Sequence, residues 1–295
     1  GGPSRRNNVT PASTIGAIYQ QLSDELAAAG IEEPRLEARM LMSFAAGLEQ
    51  SRIIGYPEAE IAADTAAKLN NLAERRKTGE PIAYITGQKE FWSLNFKISE
   101  ETLIPRPDSE TLIEAVLAKL PDKSASPRIL DLGTGSGCLL MALLSELPNA
   151  TGLGVDINPE TCEIARENAE QFGLTSRAKI KTNDWMTGLD GEFDIIISNP
   201  PYIVESEIAA LEPDVKKFEP HLALSGGADG LSAYRLIAAQ CRAHLPPNGL
   251  LAVECGMGQV TDIKGIFEKN NLMVKNVHKD IANVERCILA TVQKT

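Results

Sequence analysis

The sequence predicts an open α/β sheet, mostly parallel with an antiparallel final strand, preceded by an all-helical N-terminal domain and joined to it by a β-hairpin. Three observations carry that expectation. From residue 128 onward, apolar runs of strand length alternate with amphipathic stretches of helix length, the pattern of parallel strands and crossover helices. Several of these runs end in Gly-rich or polar segments, and open α/β sheets bind ligands at the carboxyl ends of their strands. Residues 12 to about 76 instead read as Ala/Leu-rich amphipathic stretches separated by short breaks.

Residues 1–11 are expected as a disordered or artificial tail, residues 12–80 as the helical domain, 81–107 as the hairpin linker and 108–295 as the α/β domain. Ser13-Thr14 open a first helix that Gly30 closes, with Leu22, Leu26 and Ala29 on one face. Pro34 starts a second, with Leu36, Met40 and Phe44 at helical spacing, and a third is expected from Pro57 through Leu69, Leu72 and Ala73. Residues 82–105 read as the hairpin. Asp108 is a predicted N-cap for a helix to Leu120. The strands that follow are Arg128–Leu132, Thr151–Ile157, Ala178–Thr182 and Phe193–Ser198. Between them lie helices Leu139–Leu147 and Pro159–Phe172, the second with Asn158 as N-cap. Residues 203–230 are polar without strand periodicity, which at that length points to function. A helix from Leu231 to about His244, strand Leu250–Glu254, helix Gln259–Lys269 and strands Leu272–His278 and Arg286–Gln293 complete the sheet with an antiparallel edge.

Composition limits the function classes. The 295 residues are 43% hydrophobic, enough to bury a full core. Twenty-nine Lys and Arg against 40 Asp and Glu give a net charge of −11, which disfavours broad binding to phosphate backbones. Arg75-Arg76-Lys77 reads as a solvated helix C-terminus rather than a basic patch. Five cysteines without C-x-x-C, and three scattered histidines, suggest neither a metal site nor a disulfide framework. No apolar run approaches 18 residues, so no membrane span is expected, and the chain reads as a cytoplasmic monomer.

Four strand ends carry the chemistry. Asp131-Leu132-Gly133-Thr134-Gly135-Ser136-Gly137 is a strand running into a Gly-rich turn ahead of a helix, where backbone can pass close to a ligand. The dinucleotide pattern G-x-G-x-x-G would need Gly or Ala at 138, where Cys138 stands. This spacing after an acidic strand end looks like the S-adenosylmethionine site of class I methyltransferases, with Asp131 toward the ligand's ammonium. Asp156, 23 residues after Gly133, can accept both ribose hydroxyls, or is simply a solvated loop acid. Asp184 can accept from the adenine amine and Trp185 can cover the ring, although an isolated Trp is more often core. Asn199-Pro200-Pro201-Tyr202 suits a planar NH2 group: the Asn oxygen and a backbone carbonyl each accept one N–H bond, Tyr202 offers a ring face or hydroxyl, and the prolines stiffen the turn. Alone it serves equally as a rigid strand exit. Cys138 at a helix start is either a thiol of lowered pKa or a small core residue, and the second is preferred.

The order DLGTGSG, VDINP, NDW, SNPPYI resembles the N5-glutamine methyltransferases of translation release factors. Pro81–Gly87 with Glu90-Phe91-Trp92 matches that family's entry hairpin, Leu103–Glu110 its LIPRPDTE block with Ser109 for Thr, and Phe218-Glu219-Pro220 with Gly226–Gly230 the segment after the NPPY turn. The resemblance implies a Rossmann-like class I methyltransferase sheet, S-adenosylmethionine as cofactor with S-adenosylhomocysteine as product, and a release factor as protein substrate. Cofactor contacts would come from Asp131, Gly133, Thr134, Gly135, Ser136, Gly137, Asp156, Asp184, Trp185 and Asn199. Asn199, Pro200, Pro201 and Tyr202 would bind the glutamine, with Asn199, Pro200 and Tyr202 catalytic and no metal. The paralogue acting on a ribosomal protein lacks the Asp-Ser/Thr-Glu run. Adenine and guanine amino-methyltransferases use the same turn, but base flipping calls for a basic cleft that the acidic balance disfavours. A non-enzymatic cofactor sensor would have no need of the acceptors at Asn199.

Overall fold

The computed structural model of the chain describes residues 13–293, so the expected tail over residues 1–11 lies outside the described residues. The chain divides into two compact units between Thr86 and Gly87.

In the first unit, β1 (Ser13–Thr14) pairs antiparallel with β2 (Glu60–Ile61), and helices α1 (Ile15–Ala28), α2 (Pro34–Ala46), α3 (Gln50–Gly55), α4 (Ala63–Lys77) and α5 (Ile82–Thr86) surround a small apolar core. Thr14 caps α1 by accepting from the Ala17 amide at 3.2 Å, and Pro34 opens α2 at its first turn. Helices α1, α2 and α4 fall on the three expected segments, the short α3 answers to none of them, and two expected details change. The stripe of α2 that is buried is Ala38, Leu41 and Met42; Leu36, Met40 and Phe44 are half-buried, because α1 and α4 pack beside that neighbouring stripe. Pro57 starts no helix. Its carbonyl accepts from the Gly16 amide at 2.8 Å and the Ala59 carbonyl from Ile15 at 2.8 Å, so these residues tie the start of α1 to β2 and α4 begins later.

The second unit opens with a hairpin of β3 (Gln88–Phe91) and β4 (Leu94–Lys97), much shorter than the expected 81–107, since residues 82–86 are the helical turn α5. Asp108 forms no N-cap bond; Pro107–Ser109 is a 3-10 turn leading into α6 (Glu110–Ala118). The sheet then builds from β5 (Arg128–Leu132), β6 (Thr151–Asp156), β7 (Ala178–Thr182), β8 (Ile195–Ser198), β9 (Leu250–Glu254), β10 (Leu272–Lys279) and β11 (Glu285–Val292) in the order β10-β11-β9-β8-β5-β6-β7. The five strands from β9 to β7 are parallel, and β11 runs antiparallel between β9 and β10.

Between these strands lie α7 (Cys138–Glu146), α8 (Pro159–Gln171), α9 (Pro213–Phe218), α10 (His221–Leu224), α11 (Ser232–Cys241) and α12 (Val260–Lys269). Leu130 and Leu132 of β5 share a core with Tyr234 and Ile237 of α11 and with Ile263 and Phe267 of α12. Ile129, fully buried, points to the opposite face, so both faces of the sheet's centre are covered and strands β5, β8 and β9 read as near-continuous apolar runs. The carboxyl ends of β5, β6, β7, β8 and β9 therefore fall along one edge. Gly154 in β6 lets the turn after β5 lie across it: a Cβ there would stand 2.7 Å from the Thr134 hydroxyl.

Candidate functional site

The turn after β5 is built from three left-handed glycines, Gly133 (φ +67°), Gly135 (φ +57°) and Gly137 (φ +86°). A Cβ on Gly133 or Gly135 would meet nothing within 4 Å, so these two turn open backbone toward a cleft; on Gly137 it would strike the Met141 methyl at 2.6 Å. The Thr134 amide donates to the Val155 carbonyl at 2.9 Å and its hydroxyl to Asp131 Oδ2 at 2.8 Å. Asp131 is wholly buried; its Oδ1 and the Ser136 hydroxyl have no partner. Burial pushes the Asp131 carboxyl up to about 7, against the pull of the Thr134 hydroxyl, and pushes the half-buried Cys138 thiol up to about 12, the opposite of a thiol activated by a helix start.

The ends of β6 and β7 supply the next wall. Asp156 accepts from the Gly135 amide at 3.0 Å through Oδ2 and from the Asn158 amide at 3.1 Å through Oδ1, which fixes its carboxylate while leaving a lone pair on each oxygen. Burial raises its pKa. Asn158 caps α8, as its position before Pro159 predicts, and its side chain donates to Glu101 at 2.9 Å. Asn183, Asp184 and Trp185 follow β7 and line the same cleft, with Trp185 in the left-handed region.

Asn199 and Pro201, after β8, close the far side. The chain then forms a loop whose neck is a bridge between Ile203 and Ser225: the Ile203 amide donates to the Leu224 carbonyl at 3.1 Å and the Gly226 amide to the Ile203 carbonyl at 2.8 Å. Short helices, α9 and α10 among them, occupy residues 203–226 where no strand pattern is visible in the sequence. Glu219 of this loop is buried, pairs with Arg106 and accepts from the Ile104 amide at 3.3 Å, which holds the loop against the 101–106 segment. The cleft holds about 340 Å³, within the roughly 300–1,000 Å³ usual for small-molecule sites. Ile157 (50% exposed), Leu222 (67%) and Leu236 (45%) stand on its lining, an apolar rim open to solvent that marks a binding surface.

Residues 17–87 match the PrmC N-terminal domain family and residues 108–227 the methyltransferase small domain family. A release factor glutamine methyltransferase of Rhodospirillum rubrum is 44% identical over 98% of this chain and 88% of its own length. The chain belongs to the release factor glutamine methyltransferase family. A second member, from Caulobacter vibrioides, is 40% identical over 94% of this chain and 96% of its own. Among solved structures, a Pyrococcus furiosus methyltransferase has a TM-score of 0.51 at 18% identity, covering 76% of this chain and 100% of that one. A T. thermophilus 16S rRNA N2 G1207 methyltransferase, solved with AdoMet and guanosine, has a TM-score of 0.50 at 18% identity, covering 70% of this chain and 50% of that one. Those two likenesses concern the fold.

Of the site residues predicted from sequence, the structure brings Gly133, Gly135, Asp156, Asp184, Trp185, Asn199 and Pro201 to one cleft. Asp131, Thr134, Ser136 and Gly137 lie behind it and shape the turn. Pro200 is buried. Tyr202 departs most from expectation: its hydroxyl donates to Glu254 Oε1 at 3.2 Å and its carbonyl accepts from Gln259 Nε2 at 2.9 Å, while its ring packs on the core. Sequence reasoning missed Glu254, Gln259 and the Arg106–Glu219 pair in this family member. A run ending Val-Glu-Cys-Gly at β9 is the available signal, because an acid closing an otherwise apolar strand falls at the same edge as the others. Among the described residues no group of three or more His, Cys, Asp and Glu side chains is placed to hold a metal ion, and no helix is long and apolar enough to cross a membrane.

Proposed function

We propose that this chain transfers a methyl group from S-adenosylmethionine to the side-chain amide nitrogen of a glutamine in a peptide chain release factor, with Asn199 and the Pro200 carbonyl as the amide clamp. The observation that carries this reading is the shared cleft: Asn199 lines the same cavity as Gly133, Gly135 and Asp156. The residues suit the cofactor. Open space lies over Gly133 and Gly135, the Asp131 Oδ1 and Ser136 hydroxyl behind the turn have no partner, and Asp156 is pre-oriented by two backbone amides.

S-adenosylmethionine held there supplies an electrophilic sulfonium methyl. The chain's own residues then do the remaining work. Gly133 and Gly135 admit the amino-acid end, Asp156 accepts from the ribose hydroxyls, and Asp184 with Trp185 receives the adenine. Asn199 Oδ1 and the Pro200 carbonyl accept the two N–H bonds of the glutamine amide. An amide nitrogen is a poor nucleophile because its lone pair is delocalised. Two acceptors hold it in line and stabilise the positive charge that grows as it attacks. The proton leaves after transfer, so no side chain need act as base first. The helical unit is read as the surface that recognises the protein substrate.

Transfer of labelled methyl is measured with release factor, large-subunit ribosomal protein and DNA side by side. Label confined to a release-factor glutamine is the expected result; label on DNA or on the ribosomal protein alone overturns the substrate assignment.

A further inference from the structure

The carboxylate of Glu254, 2% exposed at the end of β9, lies between two hydroxyls from distant parts of the chain. Ser109 Oγ donates to Oε2 at 2.5 Å and Tyr202 Oη donates to Oε1 at 3.2 Å. Each oxygen thus accepts one O–H, and the guanidinium of Arg286, itself anchored on Asp280 at 3.1 Å, adds positive potential. The backbone of the same residue is fixed as well, because the buried Tyr234 hydroxyl donates to the Glu254 carbonyl at 2.6 Å. A buried acid that served packing alone would be a poor choice, since taking a carboxylate out of water costs several kcal/mol before its bonds repay it. Its position explains what it accomplishes. Tyr202 is the last residue of the clamp turn, and Pro200 and Pro201 fix φ at the two positions before it. A rigid turn held at its far end has one remaining freedom, pivoting about its start at Asn199. Glu254 at the hydroxyl and Gln259 at the carbonyl remove that freedom.

We propose that Glu254 is a positioning residue for methyl transfer, its carboxylate bridging Ser109 to Tyr202 so that the 199–202 turn presents its acceptors at a fixed angle. The proposal rests on the clamp reading of Asn199. It also reassigns Tyr202: a hydroxyl spent on a buried carboxylate is an anchor, and burial drives its pKa up, so it neither donates to the substrate amide nor serves as a base.

Glu254→Leu, Glu254→Gln, Ser109→Ala and Tyr202→Phe test this in the full chain. Glu254→Leu keeps volume and abolishes both bonds. Its kcat for release-factor methylation should fall on the order of tenfold to a hundredfold, the usual cost of a small misplacement, while calorimetric affinity for S-adenosylmethionine stays within about twofold. Glu254→Gln keeps one acceptor, and the hydroxyls can rotate to meet its amide, so it should recover most of the rate. A second readout needs no turnover. Amide exchange over residues 202–204, measured without cofactor, should quicken about tenfold in Glu254→Leu and stay parental in Glu254→Gln. Should Glu254→Leu not fold, Ser109→Ala and Tyr202→Phe carry the test, because Ser109 lies outside the cleft and reaches Tyr202 through Glu254. Each should lower kcat, and the double variant should lose less than the product of the two losses. Parental kcat and exchange in a folded Glu254→Leu, or losses that multiply fully in the double variant, overturn the proposal. A parental enzyme that leaves release factor unlabelled while the exchange difference persists would instead overturn the function and leave the bridge standing.

Discussion

At the scale of single residues, the site rests on groups whose protonation and hydrogen bonds are set by burial. In the proposed mechanism the chemistry turns on Asn199. Asn199→Ala removes one of two acceptors and lets the substrate amide rotate, so the rate constant for transfer should drop by about 10²–10³ while cofactor affinity changes little. Asn199→Asp retains an acceptor and should keep partial activity. Single-turnover methyl transfer checks both, and a parental rate in Asn199→Ala would reduce the turn to a strand exit. Asp131 makes a different kind of prediction. Its folded-state pKa of about 7 lies above the value of about 4 in an unfolded chain, so the folded state binds the extra proton between those values. Stability without cofactor therefore falls as pH rises from about 4 to about 7 and levels above. Asp131→Asn lacks that penalty, so its advantage over the parent in urea unfolding should widen across the same interval, reaching on the order of a few kcal/mol by pH 8. A constant gap between the two proteins from pH 5 to pH 8 would show that Asp131 is ionised throughout.

Elements show which local rules the chain obeys and which it overrides. The β3–β4 hairpin turns through Trp92 (φ +52°) and Ser93 (φ +59°), a two-residue loop with both central residues left-handed, where Asn-Gly is the usual choice. Two acids hold it. The Trp92 amide donates to Glu110 at 2.9 Å and its indole to Glu146 at 2.8 Å, which fastens the loop to α6 and α7. Ser93→Gly relieves the left-handed strain without touching either bond and should raise the unfolding free energy by about 0.5–1 kcal/mol in urea titration. A lower value in the variant would mean that the extra freedom of the unfolded chain outweighs the strain. The same hairpin explains where sequence reasoning falls short. Residues 82–86 are apolar and β-branched enough to pass for strand, yet Pro81 accepts from the Tyr84 and Ile85 amides at 3.0 and 3.1 Å and starts a helical turn instead. Strands β5, β8 and β9 were legible because a strand covered on both faces leaves a near-continuous apolar run bounded by turn residues, whereas the edge strand β7 (Ala178–Thr182) alternates with exposed lysines. Capping was legible at Thr14 and Asn158, where the partner amide is two or three residues away, and failed at Asp108, whose neighbours Pro107 and Ser109 prefer a tighter turn.

For the whole molecule, the two units each hold a separate core: one from Ile15 to Ile85, the other from Leu130 to Ala290. If the helical unit only recognises the protein substrate, a chain of residues 87–295 should bind S-adenosylmethionine with nearly parental affinity yet lose transfer to intact release factor. Calorimetry and the labelled-methyl assay measure the two quantities separately. Loss of cofactor binding in a truncated chain that remains folded would count against that division. The residues that line the cleft from β5, β6, β7 and β8 were readable because they cluster within a few positions of each strand end. The site's bracing was not: Ser109–Glu254, Arg106–Glu219 and Tyr202–Gln259 join positions 145, 113 and 57 residues apart, and apart from the acid that closes β9 nothing local in the chain marks the pairing. Such long-range polar pairs arise only when the sheet has brought its loops together.

The neck at Ile203 and Ser225 has a consequence for how this enzyme could change its taste in substrates. Because the two ends of residues 203–225 are joined to each other immediately beyond Tyr202, the loop between them is a cassette: lengthening, shortening or replacing it need not pull on the clamp turn. A side-chain tether runs from inside the cassette to the rest of the protein, Glu219 to Arg106 and Ile104, and near the neck the Glu205 amide donates to the Gly227 carbonyl at 2.9 Å. A transplanted loop that preserved the neck and supplied one acid at that place would inherit the reaction while presenting a new face to whatever protein enters the cleft.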